Sequence, residues 1–188
     1  HRAQAETPFD RYVDAIVSDI GREAGKAGGR IVESIFLGGG TPRLFSPERV
    51  ADILNACRRS LALSDDCEVT MEVNPGTVEH GSLAGYRAAG VNRLSIGIQS
   101  FDDTQLKQLG RIHDCKQALK AIDTAKHAGF ENMNLDLMFG LPQQTLEQAA
   151  ADVRIACEFE VPHLSHYQLT IEPNTYFHKH TPVLPDND

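Results

Sequence analysis

Two carboxylates, Glu72 and Asp136, stand among apolar strand-forming residues. An ionised carboxylate in such surroundings costs free energy unless an ion pair or a bound polar group compensates it. Two readings are open for each: a salt bridge to a neighbour such as Arg93 or Arg111, or a hydrogen-bonding role toward a ligand. The run Gly38-Gly39-Gly40-Thr41-Pro42 either lets a ligand approach the backbone closely or makes a tight strand-to-helix turn. It is no P-loop, since no Gly-Lys-Ser/Thr follows. Gln99 ends an apolar run and reads either as a satisfied core amide or as a site amide. Arg111, within Gly110-Arg111-Ile112-His113-Asp114, has a guanidinium fork suited to a carboxylate, or is a solvated loop residue. His113 reads equally as an ordinary loop residue.

The remaining chemistry-bearing residues are less pointed. His163, His166, His178 and His180 cluster late in the chain, but no carboxylate or thiol joins His178 and His180 at ligand spacing, and a tight metal site needs three or four convergent ligands. Cys57, Cys67, Cys115 and Cys157 are spaced far too widely for a CxxC or CxxxCxxC loop. They read as reduced, non-ligating thiols of a cytoplasmic protein, with Cys57 and Cys157 at apolar helix positions as small hydrophobes. No metal ligand and no catalytic residue is assigned from this chain.

The 188 residues are 41% hydrophobic, enough for one substantial core, and carry a formal charge of −8. That charge argues against the basic face a nucleic-acid binder needs, and it means an anionic ligand requires a local cation. No stretch approaches the roughly 20 apolar residues of a membrane-spanning helix. The opening His1-Arg2-Ala3-Gln4 has no apolar signal region and reads as a fragment edge.

The elements that must position these residues alternate from end to end. Phe9, Tyr12, Val13, Ile16 and Ile20 recur at helical spacing, and Gly25, Gly28 and Gly29 end that helix. Ser46-Pro47 starts a helix whose apolar stripe is Val50, Ile53, Leu54, Cys57 and Leu61. Thr77 caps a helix ending near Gly90. Capping boxes at Asp114/Gln117 and Thr145/Gln148 open two more, the second carrying Leu146, Val153 and Cys157. Strands are expected over Ile31–Leu37, Cys67–Val73, Asn92–Ile98, Asn132–Met138 and His163–Ile171. Their spacing is that of βα units, so right-handed crossovers force a parallel sheet with helices outside it. A curved, partly closed barrel fits better than a doubly wound sheet, although periodicity alone does not decide. In such barrels the site lies at the C-terminal strand ends. There stand Gly38 to Thr41, Glu72 with Asn74, Gln99 with Ser100, Asp136, and Gln168 with Thr170.

Taken together, six segments resemble the HemW/HemN family of radical S-adenosylmethionine (SAM) proteins. They are Ile35-Phe36-Leu37-Gly38-Gly39-Gly40-Thr41-Pro42, Glu72-Val73-Asn74-Pro75-Gly76-Thr77, and Arg93-Leu94-Ser95-Ile96-Gly97-Ile98-Gln99-Ser100-Phe101. Leu109-Gly110-Arg111-Ile112-His113, Asn134 to Pro142 and Tyr167 to Thr175 complete the set. The resemblance implies a partial (β/α) barrel over residues 1–188, lacking an N-terminal cluster-loop strand and a C-terminal domain. It implies SAM held by Gly39, Gly40 and Thr41 at its amino end, by Glu72 at a polar group, by Arg111 at the carboxylate, by Gln99 and Asp136 at the ribose hydroxyls, and by Thr170 in the same pocket. It further implies a [4Fe–4S] cluster whose CxxxCxxC loop is absent from this chain, since thiolates are the usual cluster ligands.

Within the family, Asn74-Pro75-Gly76, Gly110-Arg111-Ile112-His113 and Thr170-Ile171-Glu172-Pro173 are more similar to the heme chaperones than to the oxygen-independent coproporphyrinogen III oxidases. The implied partners are therefore heme or a porphyrinogen and a heme-acceptor protein, with no nucleic acid and no membrane span. Heme binding is expected of the full-length protein. The competing expectations are a propionate-decarboxylating oxidase and an α/β barrel that binds another small ligand.

Overall fold

The computed structural model of the chain describes residues 9–39, 42–77 and 80–185. The chain forms α1 (Phe9–Glu23), β1 (Ile31–Leu37), α2 (Pro47–Ser60), β2 (Ala62–Val73), α3 (His80–Ala89) and β3 (Arg93–Gln99). There follow α4 (Asp103–Gln108), α5 (Cys115–His127), β4 (Asn132–Phe139), α6 (Leu146–Glu158), β5 (His163–Gln168) and α7 (Tyr176–Lys179). The five strands lie in one sheet in the order β1-β2-β3-β4-β5. The pairs β1/β2 and β4/β5 are parallel. A doubly wound sheet reverses its strand order at a switch point. A strictly consecutive order is the barrel-type solution, so topology decides what periodicity left open.

β1 has the expected bounds. β2 begins five residues before Cys67 because Ala62 and Leu63 already pair with Ile31 and Val32; the register then shifts, so that Ser34 opposes Glu68. The polar Ser64-Asp65-Asp66 run falls within this register shift. β5 stops at Gln168, three residues short of Ile171. Leu169 N still donates to Phe139 O at 2.9 Å, and Asn174 then turns the chain with φ +66°.

Local capping sets the helix starts. Ser46 Oγ accepts from Arg49 N at 3.4 Å with Pro47 in the first turn. Asp114 and Gln117 bond reciprocally at 2.8 and 3.0 Å, as do Thr145 and Gln148 at 3.2 and 2.8 Å. Each such cap contributes about 1 kcal/mol. The capping side chain of Thr77 lies outside the described residues. The short α4 was not anticipated, although its signal was present: Asp102 Oδ1 accepts from Thr104 N and Gln105 N.

By contacts the chain divides into two units, the division passing through β3 after Leu94 and through α5 before Thr124. The first unit holds α1, β1, α2, β2 and α3, with a core that includes Val13, Val50, Leu54, Val69, Met71 and Tyr86. The second holds α4, β4, α6, β5 and α7 with the rest of β3 and α5. Its core includes Ile96, Ile98, Leu106, Ile122, Leu135, Leu137 and Leu141. In both, a two-residue period separates chemistry from core. Val69, Met71 and Val73 alternate with Thr70 and Glu72, and Met133, Leu135 and Leu137 alternate with Asn134 and Asp136.

One helix face differs from expectation. On α6 the residues turned inward are Asp152 and Ala156, while Leu146 is 88% exposed and Cys157 is exposed. The cause is a polar clasp. Asp152 accepts from Ser100 Oγ and Phe101 N, both at 2.7 Å, and this bond pair rotates the apolar-looking stripe toward solvent. Cys157 is therefore not a core hydrophobe, whereas Cys57 is buried.

Candidate functional site

In the first unit the glycine-rich strand end meets a carboxylate. Glu72 is the penultimate residue of β2, and its Oε2 accepts from Gly39 N at 3.0 Å. Gly39 has φ +75°, a left-handed conformation that L side chains rarely adopt. A Cβ on Gly38 would lie 2.3 Å from Phe36 Cε1 and 3.1 Å from Glu72 Cδ, so the close approach of carboxylate and backbone depends on glycine there. Glu72 has no ion-pair partner among the described residues. Arg93 instead pairs with Glu68 at 3.7 Å and donates to Thr70 Oγ1 at 3.2 Å. Gly40 and Thr41 lie outside the described residues.

In the second unit β3 ends in Gln99, which is 3% exposed and has φ +70°. For a non-glycine residue this conformation costs roughly 1–2 kcal/mol, and the Ser100–Asp152 clasp that follows helps to hold it. Ser100 is thereby committed to structure: fully buried, it donates to Asp152 and accepts from Asp102 N at 3.0 Å. The amide oxygen of Gln99 accepts from Arg111 Nη2 at 3.0 Å and from the Tyr167 hydroxyl at 2.9 Å. Arg111 itself is exposed.

Its loop is pinned from below. His113 is 4% exposed, and its Nε2 donates to Ile98 O at 3.1 Å. Burial pushes the imidazole pKa below its usual value, against the opposing effect of the Ile98 carbonyl. A Cβ on Gly76 would lie 3.2 Å from His113 Cβ, so glycine lets the loop at His113 pack closely against it. His113 is thus a buried anchor rather than an ordinary loop residue.

Asp136 differs from its expected place. It lies three residues before the end of β4, opposite Ser165, rather than at the strand end. It makes no ion pair with Arg111. It accepts from Ser95 Oγ and from Asn134 Nδ2, both at 2.8 Å. Asn134 is 2% exposed and also donates to Ser95 Oγ, while its own oxygen accepts from Ser165 Oγ at 3.1 Å and from His163 Nδ1. A carboxylate accepting two hydrogen bonds retains lone pairs for more.

Among the sequence-assigned residues, then, Gly39 meets Glu72 and Gln99 meets Arg111. Asp136 sits in a polar ladder, and Thr170 is exposed just beyond β5. The residues missed were Ser95, Asn134, Tyr167 and Asp152. A polar side chain between apolar neighbours on a strand was the available signal for Asn134 and Ser95, and nothing local marked Tyr167 or Asp152. Among the described residues no three His, Cys, Asp or Glu side chains group as a metal set. The cysteines stand on four different elements, α2, β2, α5 and α6, as free thiols. No helix is long and apolar enough to cross a membrane.

Three comparisons bear on this arrangement. The chain is 50% identical over 188 residues to the heme chaperone HemW of Escherichia coli K12 and 45% identical over 192 residues to that of Haemophilus influenzae. Each alignment covers all of this chain and 50% of the relative, so the chain spans about half the length of these relatives. The solved radical SAM enzyme HemN of E. coli, a coproporphyrinogen III oxidase, superposes with a TM-score of 0.81 at 29% identity, covering 95% of this chain and 42% of that one. Residues 3–156 match the model of the Radical SAM superfamily. That match, together with the consecutive parallel sheet and its polar strand ends, places the chain in the radical SAM superfamily.

Proposed function

We propose that this chain is the SAM-binding part of a heme chaperone and that the intact protein also carries a [4Fe–4S] cluster and heme. The observation that carries the reading is the 45–50% identity to two heme chaperones over the whole chain, across the segments that hold Glu72, Gln99, Arg111 and Asp136. The donor set fits SAM in kind. Glu72 beside Gly39 offers an acceptor to the ammonium, with Gly40 and Thr41 assigned to the same end. Arg111 offers its remaining N–H donors to the carboxylate. Asp136 offers its free lone pairs to ribose hydroxyls. Gln99, with its oxygen doubly occupied, offers its Nε2 hydrogens to the ribose, and Thr170 is assigned to the same ligand.

SAM bound next to a reduced cluster supplies a 5′-deoxyadenosyl radical. What this chain contributes is orientation, a local cation for an anionic group in an acidic protein, and low-polarity strand faces behind the polar residues. The described residues hold no cysteine set that fits the cluster, so its ligands are assigned outside this chain. Four free thiols suit a reducing compartment, and the cytoplasm is the proposed location.

The likeness to the oxidase HemN supports a second reading, decarboxylation of coproporphyrinogen propionates. Two assays on the intact protein separate them. A chaperone binds heme stably, passes it to an acceptor protein and leaves coproporphyrinogen III unchanged. Turnover of coproporphyrinogen without heme retention would establish the oxidase instead. Binding of neither SAM nor heme would sink both.

A further inference from the structure

The Gln99 amide is held in one orientation by its two donors. Arg111 can only donate, so a flip of the amide would set its NH2 group against a guanidinium hydrogen, and the Tyr167 hydroxyl, which donates to Oε1 in this orientation, ties the same oxygen to β5. Gln99 is buried and its backbone is fixed in a left-handed turn, so the amide has little other freedom. Arg111, by contrast, is an exposed side chain with many rotamers, and this bond to Gln99 is its hydrogen bond among the described residues. It uses one of five N–H donors and leaves the others available. Tyr167 sits on β5 opposite Met138, 43% exposed, and reaches 68 residues back in sequence to the end of β3.

We propose that Tyr167 is a positioning residue: its hydroxyl locks the Gln99 amide, and the locked amide aims the Arg111 guanidinium at the carboxylate of SAM. The proposal rests on the reading of Arg111 as the carboxylate partner. Preorganisation explains why a neutral hydroxyl on another strand matters to an ionic contact. An arginine already held spends less side-chain entropy when the ligand arrives. The part of this role that runs through Arg111 reaches only the carboxylate, which makes it separable from a general contribution to folding.

The experiment is calorimetric titration of SAM, and of decarboxylated SAM, which lacks the carboxylate, into the intact protein. Wild type and Tyr167→Phe are compared, with thermal unfolding of both recorded. Loss of one neutral hydrogen bond is expected to weaken SAM about three- to tenfold, with decarboxylated SAM weakened less, through the Gln99 contact to the ribose alone, so that the preference of wild type for SAM shrinks. Equal weakening of both ligands, or an intact preference, overturns the positioning role. A wild type that binds the two ligands equally overturns the Arg111 reading itself, and is seen before any variant is made. If Tyr167→Phe does not fold, Gln99→Glu carries the test. It keeps the shape but gives Arg111 an internal carboxylate, and should abolish the preference for SAM. A preserved preference in Gln99→Glu also overturns the proposal.

Discussion

The Glu72 carboxylate accepts a backbone hydrogen bond from Gly39 across the β1/β2 strand ends at 3.0 Å, with no cation beside it among the described residues. An anion held in this way is an acceptor in search of a positive group, and the ammonium of SAM is the proposed one. Glu72→Gln keeps an oxygen for Gly39 N and removes the charge. The expected result is a loss of about 1.5–3 kcal/mol in SAM binding, the range for a hydrogen bond to a charged group. The midpoint of unfolding should barely move. Calorimetry and urea unfolding read the two quantities, and a large stability loss with unchanged SAM affinity would assign Glu72 to structure.

Arg111 offers the complementary test. Lysine keeps the charge but loses the fork. Arg111→Lys should weaken SAM modestly and Arg111→Ala by about 1.5–3 kcal/mol, at the lower end because Arg111 is exposed and the pair stays partly solvated. Heme affinity should change much less in both. If Arg111→Ala binds SAM as tightly as wild type, Arg111 is a solvated loop residue.

What the sequence made legible was local. The capping boxes at Asp114/Gln117 and Thr145/Gln148 and the bounds of β1 depend on residues a few positions apart, and they stand as expected. Glu72 was visible because charge is rare among apolar strand residues, and Arg111 because its segment resembles the family's and its fork suits a carboxylate. The rest depended on partners far along the chain. The face of α6 is set by Asp152 reaching 52 residues back to Ser100. Tyr167 gains its meaning from Gln99, and His113 from the carbonyl of Ile98. The end of β4 was read to within one residue, and what local sequence did not show was that Asp136 bonds to Ser95, 41 residues back.

His113 makes the Arg111 loop acid-sensitive. Its pKa is lowered in the folded chain by burial, so below about 6.5 the unfolded chain binds more protons. The stabilising contribution is present above that value and is lost as pH falls through it, by no more than about 1.4 kcal/mol per pH unit. His113→Gln, whose amide can still donate to Ile98 O, should flatten the dependence between pH 7.5 and 5.5 in urea unfolding. An unchanged slope would mean that another group titrates.

Asp152 carries the opposite sign. Burial raises its pKa above the usual carboxylate value, against its bonds from Phe101 N and Ser100 Oγ. The folded chain therefore holds this proton more tightly than the unfolded one. The contribution is favourable at low pH and is lost as pH rises through the raised value. Asp152→Asn does not titrate. Relative to that variant, wild type should gain stability as pH is lowered toward 4, measured by thermal unfolding across the range. Parallel curves for the two proteins would rule out Asp152 as the source.

Asn134 leaves a last consequence. Both of its amide hydrogens and both of its oxygen lone pairs are engaged, by Asp136, Ser95, His163 and Ser165. A side chain with two donors and two acceptors in that space has no substitute among the other residue types. Aspartate cannot donate, leucine can do neither, and glutamine is one methylene too long for a position 2% exposed. In a saturation screen this inconspicuous strand residue, which touches no expected ligand group, should be as intolerant of replacement as the carboxylate it steers.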